Sequence, residues 1–188
     1  MKVHLGRYPK SISKDRKIKI QIDPWDTWST DHTLSLIIHP LLVQLQKTKH
    51  GSPNVDDNDV PEELKSTSAP PKENTWDTDD NFHNRWEWVL NEMIWSFEQH
   101  NDNKAEDQFH SGEHDVYWQR VDTSGNPIEE TLYKLGETAK SKSKSDLWQM
   151  VKGPKDTYVF DKKGWEAWSA RKQNGFRLFG KYYQSLWD

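Results

Sequence analysis

The residues best suited to chemistry lie in two short segments that share the pattern W-D-T-x-x-x-x-H. The first segment runs from Trp25 to His32 and the second from Trp76 to His83. Histidine nitrogens and carboxylate oxygens bind metals, and indole rings stack on organic ligands. If both segments border one cavity, its candidate ligand-binding residues are Trp25, Asp26, Trp28, Asp31, His32, Trp76, Asp77 and His83.

Helix capping is an alternative explanation of the same pattern. Each segment stands where a long helix is predicted to begin, and Asp and Thr side chains there accept hydrogen bonds from free backbone N–H groups. Negative charge also suits the positive end of the helix dipole. We therefore expect Asp26, Thr27, Asp77 and Thr78 at or just before helix starts, with at least one of them accepting a backbone N–H. Capping with Trp packing, an organic-ligand site and a metal site all stay open, and the sequence identifies no cofactor.

Several motifs of well-known enzymes are absent from the chain. It contains no G-x-x-x-x-G-K-[ST], G-x-G-x-x-G, G-x-S-x-G or H-E-x-x-H sequence. It also has no cysteine, which excludes disulfides, thiolate zinc sites and cysteine nucleophiles. These absences favour a non-enzymatic protein and assign no catalytic residue. A metal-dependent hydrolase built on the Asp and His side chains is the enzymatic alternative.

Apolar residues at helical spacing predict the elements that position these segments. In the middle of the chain, Trp86, Leu90 and Phe97 form one such stripe. Near the C-terminus, Gly175 and Gly180 interrupt another stripe, and the cost of glycine in a helix predicts close approach of another backbone. The predicted long helices cover residues 29–49, 79–100 and 162–186.

Period-two alternation predicts short antiparallel strands beside these helices. Residues 17–22 have the pattern of a half-buried strand, with Val3 and Leu5 in its partner. Two more hairpins are expected, one around the turn 123–127 and one in which 147–151 pairs with 157–160 across Gly153 and Pro154. The chain is therefore predicted to be a single α+β domain over residues 1–188, with three long helices packed against short strands and hairpins.

Two polar segments are predicted to be surface loops. Residues 52–75 contain four prolines among acidic, Ser and Thr residues, and residues 136–146 include a run of alternating Lys and Ser. Both segments lack the apolar periodicity of a helix or a strand. We expect both to lie on the surface.

The composition limits the classes of partner. Hydrophobic residues are 32% of the 188 residues and charged residues 30%, but eleven Trp, six Tyr and six Phe are clustered enough to build a core. The formal net charge of −4 argues against general nucleic-acid binding. No apolar run is long enough to span a membrane, and no signal peptide is evident at the N-terminus.

Three stretches together resemble a family of uncharacterised proteins from tailed bacteriophages and viral metagenomes. They contain the sequence motifs W-D-T-W at 25–28, R-W-x-W-V-L at 85–90 and N-G-x-x-L-F-G-K-Y-Y at 174–183. The resemblance covers about half of the chain and does not include residues 101–160. It implies a viral protein that acts in the host bacterial cytoplasm, with the virion as the alternative location. It implies no activity and assigns no functional residue.

The sequence therefore predicts a non-enzymatic phage accessory protein. Its expected partner is a small polar or nucleotide-like ligand, or a host or phage protein, and sequestration of a host immune signal is one version of this role. A structural virion or assembly protein is the first alternative, because exposed Trp and Tyr side chains anchor interfaces. Homo-oligomerisation is compatible with either function.

Overall fold

The computed structural model describes residues 1–7, 9, 15–134 and 147–187. The chain folds into two compact units, one formed by Met1–Ala105 with Trp168–Asp188 and the other by Glu106–Ala167. The α+β class is confirmed, with three long helices and short antiparallel strands. The single domain stays a prediction.

The first unit contains a hairpin and most of the helical structure. Strands β1 (Lys2–Leu5) and β2 (Ile18–Gln21) pair antiparallel, as the alternation predicts. Helix α1 (Thr30–Thr48), helix α2 (Phe82–Asn101) and helix α3 (Lys162–Lys181) lie where the apolar spacing predicts them. Helix α3 ends at Lys181, before the predicted end at residue 186, and a 3-10 turn follows it at Tyr183–Ser185.

Helix α2 is the centre of the core of the first unit. Trp86, Val89, Leu90 and Met93 are at most 1% exposed, because their helical spacing puts them on the buried side of α2. The core also takes in residues from the other two helices and from the segment after α1. Its buried members are Leu42, Val55, Val60, Trp86, Val89, Leu90, Met93, Phe97, Leu178 and Tyr182.

The segment after α1 is only in part the surface loop predicted for residues 52–75. It forms 3-10 turns at Asp57–Asp59, Glu62–Leu64 and Ser66–Ser68. Val55 and Val60 are buried in the core, so the surface prediction is wrong for these residues. The other predicted loop, 136–146, lies outside the described residues.

The buried carboxylate of Asp59 binds this segment to the C-terminal end of α3. Asp59 accepts hydrogen bonds from Lys181 Nζ at 2.5 Å and from the Tyr182 hydroxyl at 2.6 Å, and it pairs with Arg177 at 2.8 Å. Burial favours a raised pKa for Asp59, but these donors outweigh it and lower the pKa below its ordinary value. Burial and the bond to Asp59 raise the pKa of Tyr182 to about 12.

The second unit contains a three-stranded antiparallel sheet. Strand β4 (Val116–Val121) lies in the middle, between β5 (Pro127–Lys134) and β6 (Leu147–Lys152). The hairpin around the turn 123–127 is therefore confirmed, with a register shift between Gln119 and Val121.

The hairpin predicted across Gly153 and Pro154 is wrong. Strand β6 pairs with β4, and the short β7 (Val159–Phe160) pairs with β3 (His110–Ser111). The reason is that the connection from Gly153 to Thr157 bonds to residues before β4. Gly153 N–H donates to the Asp115 carbonyl at 2.7 Å and Thr157 N–H donates to the Glu113 carbonyl at 3.0 Å.

Helix α3 meets α2 at Gly175, which is buried. A Cβ atom at this position would clash with the Ser96 hydroxyl and lie 2.6 Å from the Glu92 carbonyl oxygen. Glycine at this point is therefore required by the close approach of two helices, as predicted. No such contact exists at Gly180, where an added Cβ meets nothing within 4 Å, so the prediction is wrong for that residue.

This difference between the two glycines predicts opposite effects of the same substitution. Gly175→Ala should lower the free energy of unfolding by about 1–3 kcal/mol, because the added methyl group forces the helices apart. Gly180→Ala, the matched control, should leave stability unchanged or raise it by up to about 1 kcal/mol, because alanine is the better helix former. Urea unfolding of both variants measures this, and equal effects of the two substitutions would contradict the packing described.

Candidate functional site

The first W-D-T segment forms a capped 3-10 turn at Pro24–Thr27, directly before α1. Asp23 and Asp26 cap it reciprocally: Asp23 Oδ1 accepts from Trp25 N–H at 3.0 Å, and Asp26 Oδ2 accepts from Asp23 N–H at 2.8 Å. The expected capping role of Asp26 is confirmed, although the turn and not α1 receives the cap. Ser29, at the start of α1, makes no such bond.

The same capping leaves two indole rings in solvent. Trp25 is 77% exposed and Trp28 is 85% exposed, with their ring centroids 6.4 Å apart. Farther along α1, Asp31 lies 3.3 Å from His100 Nε2 on α2, and the His32 ring lies 6.2 Å from the His100 ring. These histidines and the aspartate therefore connect α1 to the end of α2.

The second W-D-T segment precedes α2, and its Asp79 makes the contacts that bind this segment to the helix. Asp79 accepts from Asn81 N–H at 3.0 Å and binds both terminal nitrogens of Arg85, at 2.8 and 2.7 Å. The hydrogen bonds from Arg85 lower the pKa of Asp79, and Asp79 raises the pKa of Arg85. Asp77, by contrast, is exposed and accepts a hydrogen bond from the Asn74 side-chain amide at 2.9 Å.

The remaining predicted residues near α2 lie at the surface. Trp76 is 81% exposed, and His83 Nδ1 lies 3.0 Å from the Ser52 hydroxyl. The sequence signal for the Asp79–Arg85 pair is the position of Arg85 on the buried face of α2, because a buried charged residue requires a partner.

The two segments do not share a cavity. Ser35 near the start of α1 bonds to Asn101 at the end of α2, whereas Gln46 near the end of α1 bonds to Glu87 near the start of α2 at 2.6 Å. The helices are therefore antiparallel, and their starts lie at opposite ends of helices about 30 Å long. The prediction of one common site for Trp25, Asp26, Trp28, Asp31, His32, Trp76, Asp77 and His83 is wrong.

A polar cleft of about 420 Å³ lies beside the start of α2. Asp56, Asp57, Asp77 and Asp79 line it, and each already accepts a hydrogen bond from another residue of the protein. Ligand pockets are usually lined by apolar and aromatic side chains with a few free polar groups. This cleft is polar and internally bonded, so it is a poor match for a small-molecule site.

Among the described residues, no group of three or more His, Asp or Glu side chains is arranged to hold a metal ion. In the same part of the chain, no helix is long and apolar enough to cross a membrane.

The N-terminal hairpin is less buried than its sequence predicts. Direct cross-strand pairing puts Val3, Leu5, Ile18 and Ile20 on one face, and their exposed fractions are 42, 46, 62 and 56%. The alternation of residues 17–22 predicts a half-buried strand, but it shows only that one face is apolar. Nothing in the described chain covers that face. The Met1 ammonium, next to β1, donates to Asp26 Oδ1 at 2.7 Å, which joins the turn that carries Trp25 and Trp28 to the start of the hairpin. We call the four hairpin residues together with Trp25 and Trp28 the N-terminal apolar surface.

Comparisons with protein-family models, with curated proteins and with solved structures find no match to this chain.

The two aspartates of the second segment make a direct test of this geometry. Asp79→Ala should cost about 2–4 kcal/mol of stability, because it leaves Arg85 buried without its partner, whereas Asp77→Ala should cost less than about 0.5 kcal/mol. The pKa of Asp79 is lowered, so its contribution is present above about pH 4, the ordinary aspartate pKa, and disappears as the pH falls through the lowered pKa. Unfolding of both variants measured from pH 7 to pH 2 checks this, and a large loss with Asp77→Ala would contradict it.

Proposed function

We propose that this protein is a non-enzymatic phage accessory protein that binds another protein through the N-terminal apolar surface. The observation that carries the proposal is the hairpin face of Val3, Leu5, Ile18 and Ile20, which is apolar throughout and exposed. Exposed apolar patches of more than a few hundred Å² on soluble proteins mark interaction sites.

The tryptophans that follow the hairpin support the same function. A fully exposed aromatic side chain presents roughly 150–250 Å², so Trp25 and Trp28 together expose roughly 250–400 Å² of ring surface. Capping at Asp23 and Asp26 holds both rings on a defined turn, which reduces the entropy lost on binding. Tryptophan is among the residues that most often dominate binding energy at interfaces.

A protein is a better partner for this surface than a small molecule. The two indole rings are open to solvent and do not line the cleft near Asp79. That cleft is polar, and its carboxylates are bonded to other residues of the protein. The resemblance to phage proteins supports a partner from the bacterial host or from the phage, met in the host cytoplasm. Assembly into the virion is the second candidate, and it is favoured by the same exposed rings.

Replacing Trp28 with serine tests this function. Trp28→Ser should change the free energy of unfolding by less than about 0.5 kcal/mol, because the side chain is exposed, yet weaken partner binding by about tenfold or more. Trp76→Ser is the matched control, since Trp76 is equally exposed at the opposite end of the helix pair. The measurement is quantitative mass spectrometry of proteins captured by each tagged variant from infected and uninfected cells.

The origin of the captured protein separates the candidates, because a host protein supports the accessory function and a virion protein supports assembly. Ile20→Asp, which places a charge on the hairpin face, should reduce capture as Trp28→Ser does. If neither substitution changes what is captured, or if Trp76→Ser alone abolishes capture, the N-terminal apolar surface is not the binding site.

A further inference from the structure

The hydrogen-bond register of the hairpin determines which backbone groups of β2 remain for another strand. Gly6 N–H donates to the Lys17 carbonyl at 2.9 Å, so Lys17, and with it Lys19, directs its backbone groups towards β1. The intervening Ile18 and Ile20 direct their N–H and C=O groups to the outer edge. In the part of the chain that the structure describes, this sheet has only two strands, so that edge is open.

The side chains of β2 have different chemistry on the two faces. Ile18 and Ile20 lie on the apolar face, whereas Lys17 and Lys19 project from the other face. No carboxylate of the described residues forms an ion pair with either lysine. A strand added at this edge would therefore meet aliphatic side chains above the sheet and positive charge below it.

This charge pattern discriminates against a second copy of the chain. Two β2 strands paired antiparallel, edge to edge, would bring Lys17 and Lys19 of both copies onto one face of the joint sheet. Like charges on neighbouring strands are destabilising, and edge lysines protect natural sheets against self-pairing. An acidic segment gains from the same lysines, so the occupant differs from this chain.

We propose that the edge of β2 binds an extended segment of the partner in which aliphatic and acidic residues alternate. The segment would add a third strand antiparallel to β2, with its aliphatic side chains beside Ile18 and Ile20 and its carboxylates beside Lys17 and Lys19. Strand addition of this kind takes affinity from main-chain hydrogen bonds and specificity from alternate side chains. The inference rests on the proposed function, since the segment belongs to the protein that covers the N-terminal apolar surface.

Two synthetic peptides test the charge requirement. One alternates Val and Glu over about ten residues and the other alternates Val and Lys, a length that spans an ordinary strand. Isothermal titration calorimetry at low ionic strength should show that the full-length protein binds the Val–Glu peptide about tenfold or more tightly than the Val–Lys peptide. The double variant Lys17→Glu/Lys19→Glu keeps the apolar face and should invert this preference.

Backbone N-methylation tests the strand pairing. In an antiparallel pair, two residues that lie directly opposite each other can exchange both backbone hydrogen bonds, so the Val residues opposite Ile18 and Ile20 direct their N–H groups at β2. Methylation of every Val nitrogen should abolish binding of the Val–Glu peptide, whereas methylation of every Glu nitrogen should leave its affinity within a few fold. Both modified peptides keep the same side chains, so they control for apolar burial and charge.

Equal affinity for the two charged peptides, no binding of the Val–Glu peptide, or full binding after methylation of the Val nitrogens would each overturn the strand proposal. These failures are distinguishable from failure of the proposed function. If the peptides do not bind but partner capture still depends on Trp28 and Ile20, the partner uses another chemistry on the same surface. If capture is also independent of Trp28 and Ile20, both the proposed protein-binding function and the strand addition are contradicted.

Discussion

Burial of α2 is the constraint on which the rest of the first unit depends. The chain has few apolar residues, and α2 concentrates them, so the other elements must pack around this one helix. Helix α1 runs antiparallel along it, α3 crosses it at Gly175, and the segment after α1 contributes Val55 and Val60. The positions of α1, α3 and the segment after α1 are therefore determined by their contacts with α2.

The same burial brings charged groups into the core, where they need partners. Arg85 on α2 is paired by Asp79, and Glu92 accepts two hydrogen bonds from Arg171 of α3 at 2.9 and 2.7 Å. Removing the partner of Arg85 or of Glu92 is costly, because these two charges stay buried. Asp79 and Glu92 are therefore part of the packing around α2.

The helices follow from the sequence because apolar periodicity is a local property. The pairing of β1 with β2 follows for the same reason. The pairing of β6 with β4 does not, because it depends on bonds between residues about forty positions apart, such as Gly153 to Asp115. Nor does alternation reveal what covers the apolar face of Ile18 and Ile20, because the same pattern suits a buried strand and a strand that binds a partner.

Only part of the candidate site follows from the sequence. Trp25 and Trp28 belong to the proposed interaction surface, but the combination with Trp76 and His83 fails. The two W-D-T segments are alike because turns and helix starts need the same capping side chains. Their relative position depends on the antiparallel packing of α1 and α2, which the local sequence pattern does not encode.

The most direct test of the account is residue-resolved amide hydrogen exchange of the isolated protein, measured by NMR. If the edge of β2 is open, the Ile18 and Ile20 amides should exchange at nearly the rate of an unstructured chain, and the Lys19 and Gln21 amides, bonded to β1, should be slower. Protection of Ile18 and Ile20 equal to that of Lys19 and Gln21 would contradict the account, because the edge would then already be covered in the absence of a partner.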